Sequence, residues 1–252
     1  MRSPGKLLRA VLLGMSWVAA NAVRAEPPRF TPVAPGIDYA IFDQRPEDIE
    51  PARIHAFKID LEVAEVRLVS AGGPASRRTV AQIAAPYPVV VAVNASFFDT
   101  EGRAIGLGVN DGQLLAAGKR QSWGALVVDG KKARIVLGGD IQDYRAYRLV
   151  VQGIPRLVVG GKVQRLKPQV AERTAVCAAG GSITIAVTTR IETTDFARFL
   201  ADAPEKGGLG CSDALNLDGG PSTQLVARLP SMNLSLPGWA VPNALVAVPG
   251  RM

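Results

Sequence analysis

The chain has 252 residues, with 29 Lys and Arg against 22 Asp and Glu, and a formal net charge of +7 at pH 7. Four of the bases and none of the acids lie in residues 1–25, so the remainder carries a net charge of +3. This charge is too small to indicate the clustered basic face of a nucleic-acid-binding protein. No linker, low-complexity segment or fixed-spacing repeat divides the remainder, which we interpret as one domain.

The N-terminal segment has the pattern of a secretory signal peptide. Arg2, Lys6 and Arg9 precede an apolar run over residues 10–20, and small residues follow up to Ala25. The run is shorter than the roughly 20 apolar residues of a spanning helix. We therefore predict a signal at residues 1–25, cleaved near Ala25, and a periplasmic or secreted protein without stable membrane insertion.

The Pro-rich residues 26–50 are expected to form an extended lead-in, and residues 51–252 the domain. Residues 54–61 and 63–69 are expected to form a hairpin, and residues 79–85 a short helix that ends before Pro86. The valine run of residues 88–94 is typical of a strand buried on both faces. Two Asp-Gly steps, Asp111-Gly112 and Asp129-Gly130, indicate hairpin turns.

Further strands are expected at residues 148–151, 157–159, 175–178, 182–188 and 244–248, and the clearest helix at residues 194–201. Strands outnumber helices, and several are linked by short turns. The predicted fold class is therefore α+β, a single domain with a largely antiparallel or mixed β-sheet core and a few helices.

The two cysteines, Cys177 and Cys211, favour a disulfide, because an even number of cysteines in an exported chain is commonly paired. Two buried free thiols are the main alternative. A cysteine nucleophile is disfavoured, because the chain has a single histidine, His55, far away in sequence.

The segment most informative about function is Ala-Leu-Asn-Leu-Asp-Gly-Gly-Pro-Ser-Thr-Gln-Leu, residues 214–225. Its apolar residues predict the end of a buried strand, and the glycines and proline then force a turn after Asp218. Backbone amides around such glycines can face an anion such as phosphate, with Ser222 and Thr223 as further donors. The alternative is a tight turn whose polar residues cap a helix.

Polar residues also stand at the ends of other predicted strands. Asn94 and Asp99 follow the valine strand, Arg173 precedes the strand at 175–178, and Gln152 lies beside another strand start. Side chains at the ends of adjacent strands converge on one edge, and Arg is the side chain best suited to grip phosphate. Each residue alone is more commonly part of a turn or a surface ion pair.

Together these segments resemble the phosphodiester glycosidase family in order and spacing, across about residues 55–248. The resemblance rests on Asn94-Ala-Ser-Phe-Phe, Ile105-Gly106-Leu107, Gly153-Ile-Pro-Arg-Leu-Val with Gly161-Lys162, Arg173-Thr-Ala-Val, the segment 214–223 and Pro242-Asn243-Ala244. The chain departs from the family at Ala95, Ser96 and Pro221, where glycine is common. These departures point to a narrower site or a different sugar.

The resemblance implies a hydrolase that releases a sugar from a sugar 1-phosphodiester, with a phosphorylated or phosphodiester-linked carbohydrate as its partner. No cofactor and no metal are expected. It implies catalytic roles for Asp218 as nucleophile or base, Arg173 beside the leaving phosphate, Asn94 as an orienting residue and Asp99 as a second carboxylate, with Glu172 and Asp213 behind it. The substrate-binding residues it implies are Asn216, Gly219, Gly220, Ser222, Thr223, Gly106 and Gln152.

Three other functions remain open from the sequence. A non-catalytic envelope protein that binds glycans or cell-wall phosphates needs the same anion-binding turn. A serine hydrolase would use Ser96 or Ser222 with His55, but the chain has no Gly-x-Ser-x-Gly elbow. A cation site at Asp99, Asp213 and Asp218 is the weakest, because their spacing fits no calcium loop.

Overall fold

The structure is a computed structural model and describes residues 29–44 and 51–250. In these residues eighteen strands form three sheets, joined by short turns and two α-helices. The strands are Thr31–Ala34 (β1), Ile37–Gln44 (β2), Ala52–Asp60 (β3), Glu65–Ser70 (β4), Val90–Asn94 (β5), Gly106–Asn110 (β6), Gln113–Gly118 (β7), Gly124–Asp129 (β8), Lys132–Leu137 (β9), Leu149–Gly153 (β10), Arg156–Val159 (β11), Lys162–Val163 (β12), Val170–Ala179 (β13), Ser182–Glu192 (β14), Asp213–Asn216 (β15), Leu225–Leu229 (β16), Met232–Leu236 (β17) and Asn243–Val248 (β18).

The first sheet has eight strands in the order β1-β2-β3-β14-β13-β15-β11-β12. The second has the order β7-β6-β10-β8-β9, and the third β17-β16-β5-β18-β4. Neighbouring strands in the three sheets run antiparallel. The molecule is thus a β-rich protein with an antiparallel core. The prediction of antiparallel sheets is confirmed, whereas α+β overstated the helical part.

The main hydrophobic core lies where the three sheets face one another. It takes Val93 from the third sheet, Leu126 from the second and Ile185 from the first, all 0% exposed. Continuous β-branched runs suit these strands, because their residues are covered on both faces. The core therefore fixes the three sheets relative to one another.

Each helix covers the outer face of one sheet. Helix α1, Val80–Ile83, begins at a Thr79 capping box and covers the third sheet. Helix α2, Thr193–Ala201, buries Phe196, Phe199 and Leu200 against the first sheet. Both lie close to the helices expected from the sequence, because cap residues and apolar spacing are local signals.

The two Asp-Gly turns are confirmed: β6 pairs with β7 and β8 pairs with β9. The hairpin expected from residues 54–61 and 63–69 is wrong, because β3 pairs with β2 and β14 whereas β4 pairs with β18. Leu61 and Ala64 in the connecting turn are buried in the main core. The turn therefore carries the chain from one sheet to another.

The described part of the expected lead-in lies inside the first sheet. Strand β1 pairs with β2, and β2 pairs with β3 from Ile37 opposite Ile59 to Gln44 opposite Ala52. Residues 31–44 are therefore part of the folded sheet and do not merely precede it. The expected signal peptide lies outside the described residues.

None of the helices in the described part of the chain has the length and apolar character needed to cross a membrane.

Candidate active site

Asp218 lies just beyond the end of a buried strand. Strand β15 runs between β13 and β11, and Leu215 and Leu217 are 0% exposed. The chain then enters a short 3₁₀ turn, Gly220–Ser222. Gly220 has a φ of +58°, which favours glycine. A Cβ on Gly219 would lie 3.0 Å from the carbonyl oxygen of Glu172. The two glycines are thus needed for the conformation of the turn and for its close packing on β13.

The backbone of Asp218 is held by the end of β5, a strand of another sheet. Its N–H donates to the carbonyl oxygen of Ala95 at 3.1 Å, and its carbonyl oxygen accepts from Asn94 Nδ2 at 2.6 Å. Asn94 Oδ1 in turn accepts from Thr174 Oγ1 at 2.7 Å and from the Gln224 N–H at 3.1 Å. Asn94 is 0% exposed. It therefore joins the third sheet to the first at the site, and in the described residues Nδ2 donates one hydrogen bond of the two it can make.

The two carboxylate oxygens of Asp218 have different surroundings. Oδ1 accepts from the Gly219 N–H at 3.0 Å, whereas Oδ2 is buried and makes no hydrogen bond with any residue that the structure describes. Burial raises the pKa of Asp218 above its ordinary value, and hydrogen bonds from the Ser222 side chain and the Gly219 N–H oppose this rise. One carboxylate oxygen is thus held by the turn, whereas the other has no partner among the described residues.

Unpartnered buried polar atoms concentrate around this turn. In the described residues five buried side-chain atoms make no protein hydrogen bond, and four of them belong to Arg173, Asn216, Asp218 and Thr223. Each such atom costs about 1–3 kcal/mol of stability. Both Asn216 donors are used, on the carbonyl oxygens of Ile154 and Leu217, so its Oδ1 is the atom left to accept a hydrogen bond. This concentration makes the turn our candidate ligand site.

Arg173 packs behind the turn. The side chain is 5% exposed, and Nη2 donates to Gln169 O and Thr193 Oγ1, each at 2.6 Å. Since side chains alternate along a strand, Arg173 faces α2 whereas Thr174 faces Asn94. Burial lowers the pKa of Arg173, and the charge of Glu192 opposes this effect. No described contact joins its guanidinium group to Asp218.

The Asp99 side chain caps a turn of its own. Asp99 Oδ1 accepts from the N–H groups of Glu101 and Arg103, at 3.0 Å and 2.8 Å. The carboxylate also lies 3.8 Å from the Arg103 guanidinium. The described contacts therefore place Asp99 in the turn at 99–103, and none connects it with Asp218.

Gly106 and Gln152 contact each other at the start of the second sheet. The Gln152 side chain accepts from Leu107 N and Arg120 N at 2.8 Å each and donates to Arg120 O at 2.7 Å. Gly106 has a φ of +97°, and a Cβ there would lie 3.0 Å from the Cβ of Gln152. Gln152 is 0% exposed, so its amide ties the segment at 120 to β6 and β10.

The sequence reasoning missed Gln224, which connects the site to two neighbouring segments. Its backbone N–H donates to Asn94, its Oε1 accepts from Val80 N at 3.0 Å, and its Nε2 donates to the carbonyl oxygens of Ser222 and Trp239. Gln224 follows directly on Thr223, but nothing in its sequence context separates a buried amide from an exposed one. Thr174, which donates to Asn94, was missed for the same reason.

The expected disulfide between Cys177 and Cys211 is confirmed, with a Cα–Cα distance of 5.8 Å. It joins β13 to the segment that leads into β15, the strand that ends at the site.

The contacts of His55 do not support a serine hydrolase. Its Nδ1 lies 2.8 Å from the Tyr39 hydroxyl, and burial lowers its pKa. Ser96 Oγ instead accepts from Asn243 Nδ2 at 3.0 Å. In residues 29–44 and 51–250, no group of three His, Cys, Asp or Glu side chains is arranged to hold a metal ion.

Comparison with known proteins gives matches of two kinds. Residues 87–248 match the phosphodiester glycosidase family. The fold is similar to the catalytic domain of zebrafish N-acetylglucosamine-1-phosphodiester alpha-N-acetylglucosaminidase, auto-inhibited by its pro-peptide, with a TM-score of 0.68, 18% identity, and coverage of 90% of this chain and 89% of that one.

A hypothetical protein from Synechocystis gives a TM-score of 0.61 and 16% identity, over 89% of this chain and 64% of that one. A Burkholderia pseudomallei K96243 protein, whose name places it among exported proteins, gives a TM-score of 0.52 and 16% identity, over 79% of this chain and 74% of that one. No curated protein matches the sequence. The structural likenesses show the fold alone, whereas the family match spans more than half of the chain. The chain therefore belongs to the phosphodiester glycosidase family.

Proposed function

We propose that this protein is an exported hydrolase that cleaves sugar 1-phosphodiesters between the anomeric carbon and the phosphate oxygen, with Asp218 as the reacting carboxylate. The observation that carries the proposal is the Asp218 carboxylate itself. One oxygen is fixed by the Gly219 N–H, and the other is buried without a protein partner among further unpartnered polar atoms. Membership of the family supplies the reaction class.

The environment of Asp218 suits a nucleophile or general base. The carboxylate must be ionised to attack the anomeric carbon or to take a proton from water, and its raised pKa makes it more basic than an ordinary Asp. The phosphate is a good leaving group and needs little protonation. A second carboxylic acid is therefore less critical here than in most glycosidases. Asp99 remains our candidate for that role, although its contacts place it in a separate turn.

The other polar atoms of the turn would bind the sugar. Asn216 Oδ1 can accept from a hydroxyl, and Thr223 Oγ1 can accept or donate. The second amide hydrogen of Asn94 can donate to a hydroxyl. Of the two backbone donors proposed from the sequence, the Gly219 N–H donates to Asp218 Oδ1, so we propose the Gly220 N–H as the backbone donor to the substrate. Gly106 and Gln152 would act indirectly, by fixing the segment at 120.

Arg173 would act through its charge. It lies on the strand under Gly219, with its Cα 3.8 Å from a Cβ built on that glycine. A buried guanidinium group behind the turn raises the local positive potential, which favours a phosphodiester anion over a neutral glycoside. We propose this role in place of a direct grip on phosphate, because both described Arg173 hydrogen bonds come from Nη2 and reach Gln169 and Thr193.

Export fits the disulfide, which persists in oxidising compartments. The expected signal at residues 1–25 and the exported Burkholderia neighbour support the same location. We propose the periplasm or the medium as the site of action.

The first test is turnover of sugar 1-phosphodiesters such as methyl-phospho-N-acetylglucosamine, and of the related sugar diphosphate UDP-N-acetylglucosamine, by the mature protein and its Asp218→Asn variant. We expect sugar release by the wild type and a loss of about 10²–10⁴-fold in kcat/KM in the variant, the usual effect of removing an acid or base catalyst. Asp129→Asn is the matched control, because Asp129 is an exposed residue of the β8-β9 turn and its substitution should leave turnover unchanged.

Wild-type turnover retained by Asp218→Asn would eliminate the role given to this carboxylate. Saturable binding of the diesters without sugar release by the wild type would instead favour a glycan- or phosphate-binding envelope protein.

A further inference from the structure

A shallow groove opens beside the turn that follows Asp218. It is lined by Ala75, Arg77, Trp239 and Ala240, and we call it the Arg77–Trp239 groove. Trp239 is 67% exposed, more than any other large hydrophobic side chain in the described residues. A single exposed apolar side chain is ordinary at a protein surface, so the significance of Trp239 comes from the Arg77 side chain that lines the groove beside it. The groove thus combines a bare aromatic ring with a cation.

The backbone that carries Trp239 is fixed to the site. The Trp239 N–H donates to the Pro221 carbonyl oxygen at 2.8 Å, and the Trp239 carbonyl oxygen accepts from Gln224 Nε2. The preceding residue, Gly238, packs so closely that a Cβ there would lie 2.6 Å from the carbonyl oxygen of Thr223. The indole is therefore an exposed side chain on a rigid support, which lowers the entropy lost when a ring stacks on it.

The opposite wall of the groove is held just as closely. Arg78 pairs with Val241 through two backbone hydrogen bonds, at 3.0 Å and 2.8 Å, which brings the Arg77 segment alongside Trp239. The Arg77 guanidinium carbon lies 5.6 Å from the centroid of the Phe98 ring. A Cβ on Gly102 would lie 2.8 Å from Arg77 Nε, so this glycine makes room for the side chain.

Within the described residues Arg77 takes part in none of the ion pairs. Its positive charge is therefore not neutralised by a neighbouring carboxylate there and remains available to an anion such as a phosphate ester.

We propose that the Arg77–Trp239 groove is a leaving-group subsite, which binds the phosphate through Arg77 and stacks a ring of the esterified alcohol on Trp239. The inference rests on the proposed function. The unpartnered hydrogen-bonding atoms at Asn216 and Thr223 suit the hydroxyl-rich sugar, whereas a cation beside an aromatic face suits a phosphate whose alcohol carries a flat apolar face. A nucleoside base and the apolar face of a pyranose both offer this chemistry.

The test compares diesters that differ only in the alcohol esterified to the leaving phosphate. The methyl, benzyl, pyranos-6-yl and uridine-5′-yl esters of N-acetylglucosamine 1-phosphate are assayed with wild type, Trp239→Ala and Trp239→Phe. We expect wild type to prefer the ring esters over the methyl ester by about tenfold in kcat/KM, the scale of one aromatic stack. Trp239→Ala should bring this ratio to about one, and Trp239→Phe should keep most of it. The ester with the largest Trp239-dependent ratio identifies the natural type of ring.

Arg77→Gln should lower kcat/KM for all four esters by a similar factor, because they share the phosphate. Leu114→Ala is the control, since Leu114 is another exposed apolar residue, 43% exposed on β7. This substitution should leave the ratio of kcat/KM between ring and methyl esters unchanged. If Trp239→Ala lowered kcat/KM by the same factor for the methyl and the ring esters, the subsite would be overturned. Trp239 would then only stabilise the turn.

Binding separates failure of the subsite from failure of the proposed function. Calorimetry with benzyl phosphate and methyl phosphate is made on the Asp218→Asn protein, with and without Trp239→Ala. Tighter binding of benzyl phosphate that depends on Trp239 supports the subsite even if no diester is hydrolysed. Diester hydrolysis without such a preference leaves the proposed function standing and overturns the subsite.

Discussion

Asp218 combines a fixed backbone with an unfavourable electrostatic environment. Burial raises its pKa, so the ionised form is less stable in the folded protein than in the unfolded chain. A group of this kind stabilises the fold below its unfolded-state pKa and loses that contribution as the pH rises through its folded-state pKa. At neutral pH the carboxylate therefore lowers the free energy of unfolding, as expected where a group is kept for a function other than stability.

We predict that Asp218→Asn is more stable than the wild type at neutral pH. The gain should be on the order of 1 kcal/mol, since the substitution removes a buried charge with an unpartnered oxygen. It should be larger at about pH 8 than at about pH 4.5, where more of the wild-type carboxyl is protonated. Urea unfolding of both proteins at the two pH values measures the difference. Asp129→Asn should show no such gain, and equal or lower stability of Asp218→Asn at both pH values would contradict the prediction.

The residues of the site were predictable to the extent that they follow strands in the sequence. Asn94 and Asp218 were expected at strand ends on one edge, and the structure joins them by a hydrogen bond. The local sequence does not indicate what the Asp99 and Arg173 side chains contact. Asp99 satisfies the amides of its own turn, and Arg173 faces the opposite side of β13 from Thr174. Strand periodicity predicts that successive side chains point to opposite faces of the sheet. It does not predict which of the two faces meets the site when both faces of the strand are buried.

At the scale of elements, local turns were predictable and sheet membership was not. The Asp-Gly signal specifies two residues and the register next to them, so the β6-β7 and β8-β9 hairpins follow from it. The turn between β3 and β4 is also short, with residues 61–64, but it buries Leu61 and Ala64 in the core between sheets. Such a corner depends on packing against strands that are distant in sequence.

The disulfide covalently links β13 to the segment just before β15. We predict that Cys177→Ala with Cys211→Ala lowers the free energy of unfolding by about 3–4 kcal/mol, because the bridge spans 34 residues and restricts the unfolded chain. Urea unfolding of the double variant measures the loss. Wild type treated with reductant should lose a similar amount, which separates the cross-link from the packing of the side chains. An unchanged unfolding midpoint in both would show that the bridge adds nothing to stability.

At the scale of the whole molecule, three sheets share one core, and the N-terminal strands complete the largest of them. Ile37 is 0% exposed in the main core, whereas Phe42 is 4% exposed and packs with Phe199 of α2. The Pro-rich composition of this region gave no sign that its residues pair with β3. Proline is tolerated at an edge strand, where its missing N–H is not needed.

We predict that a variant beginning at residue 51 is much less stable than one beginning at residue 29. Loss of β1 and β2 uncovers the edge of β3 and removes Ile37 and Phe42, each worth about 1.5–3 kcal/mol when buried. Thermal unfolding and light scattering of the two variants test this, and the shorter one should melt lower and associate through the bare edge. Equal melting temperatures with both variants monomeric would place the folded unit after residue 50.

The attachment of both Asp218 backbone groups to the end of β5 has a consequence for how substrates arrive. With the main chain locked, the carboxylate can change position only by rotation about its own two side-chain torsions. The protein dipoles that would stabilise a developing charge are then already aligned before the substrate binds, and little reorganisation energy remains to be spent during the reaction. On the proposed function, we therefore expect substrate uptake in a single diffusional step, with no slow isomerisation of the protein between encounter and chemistry.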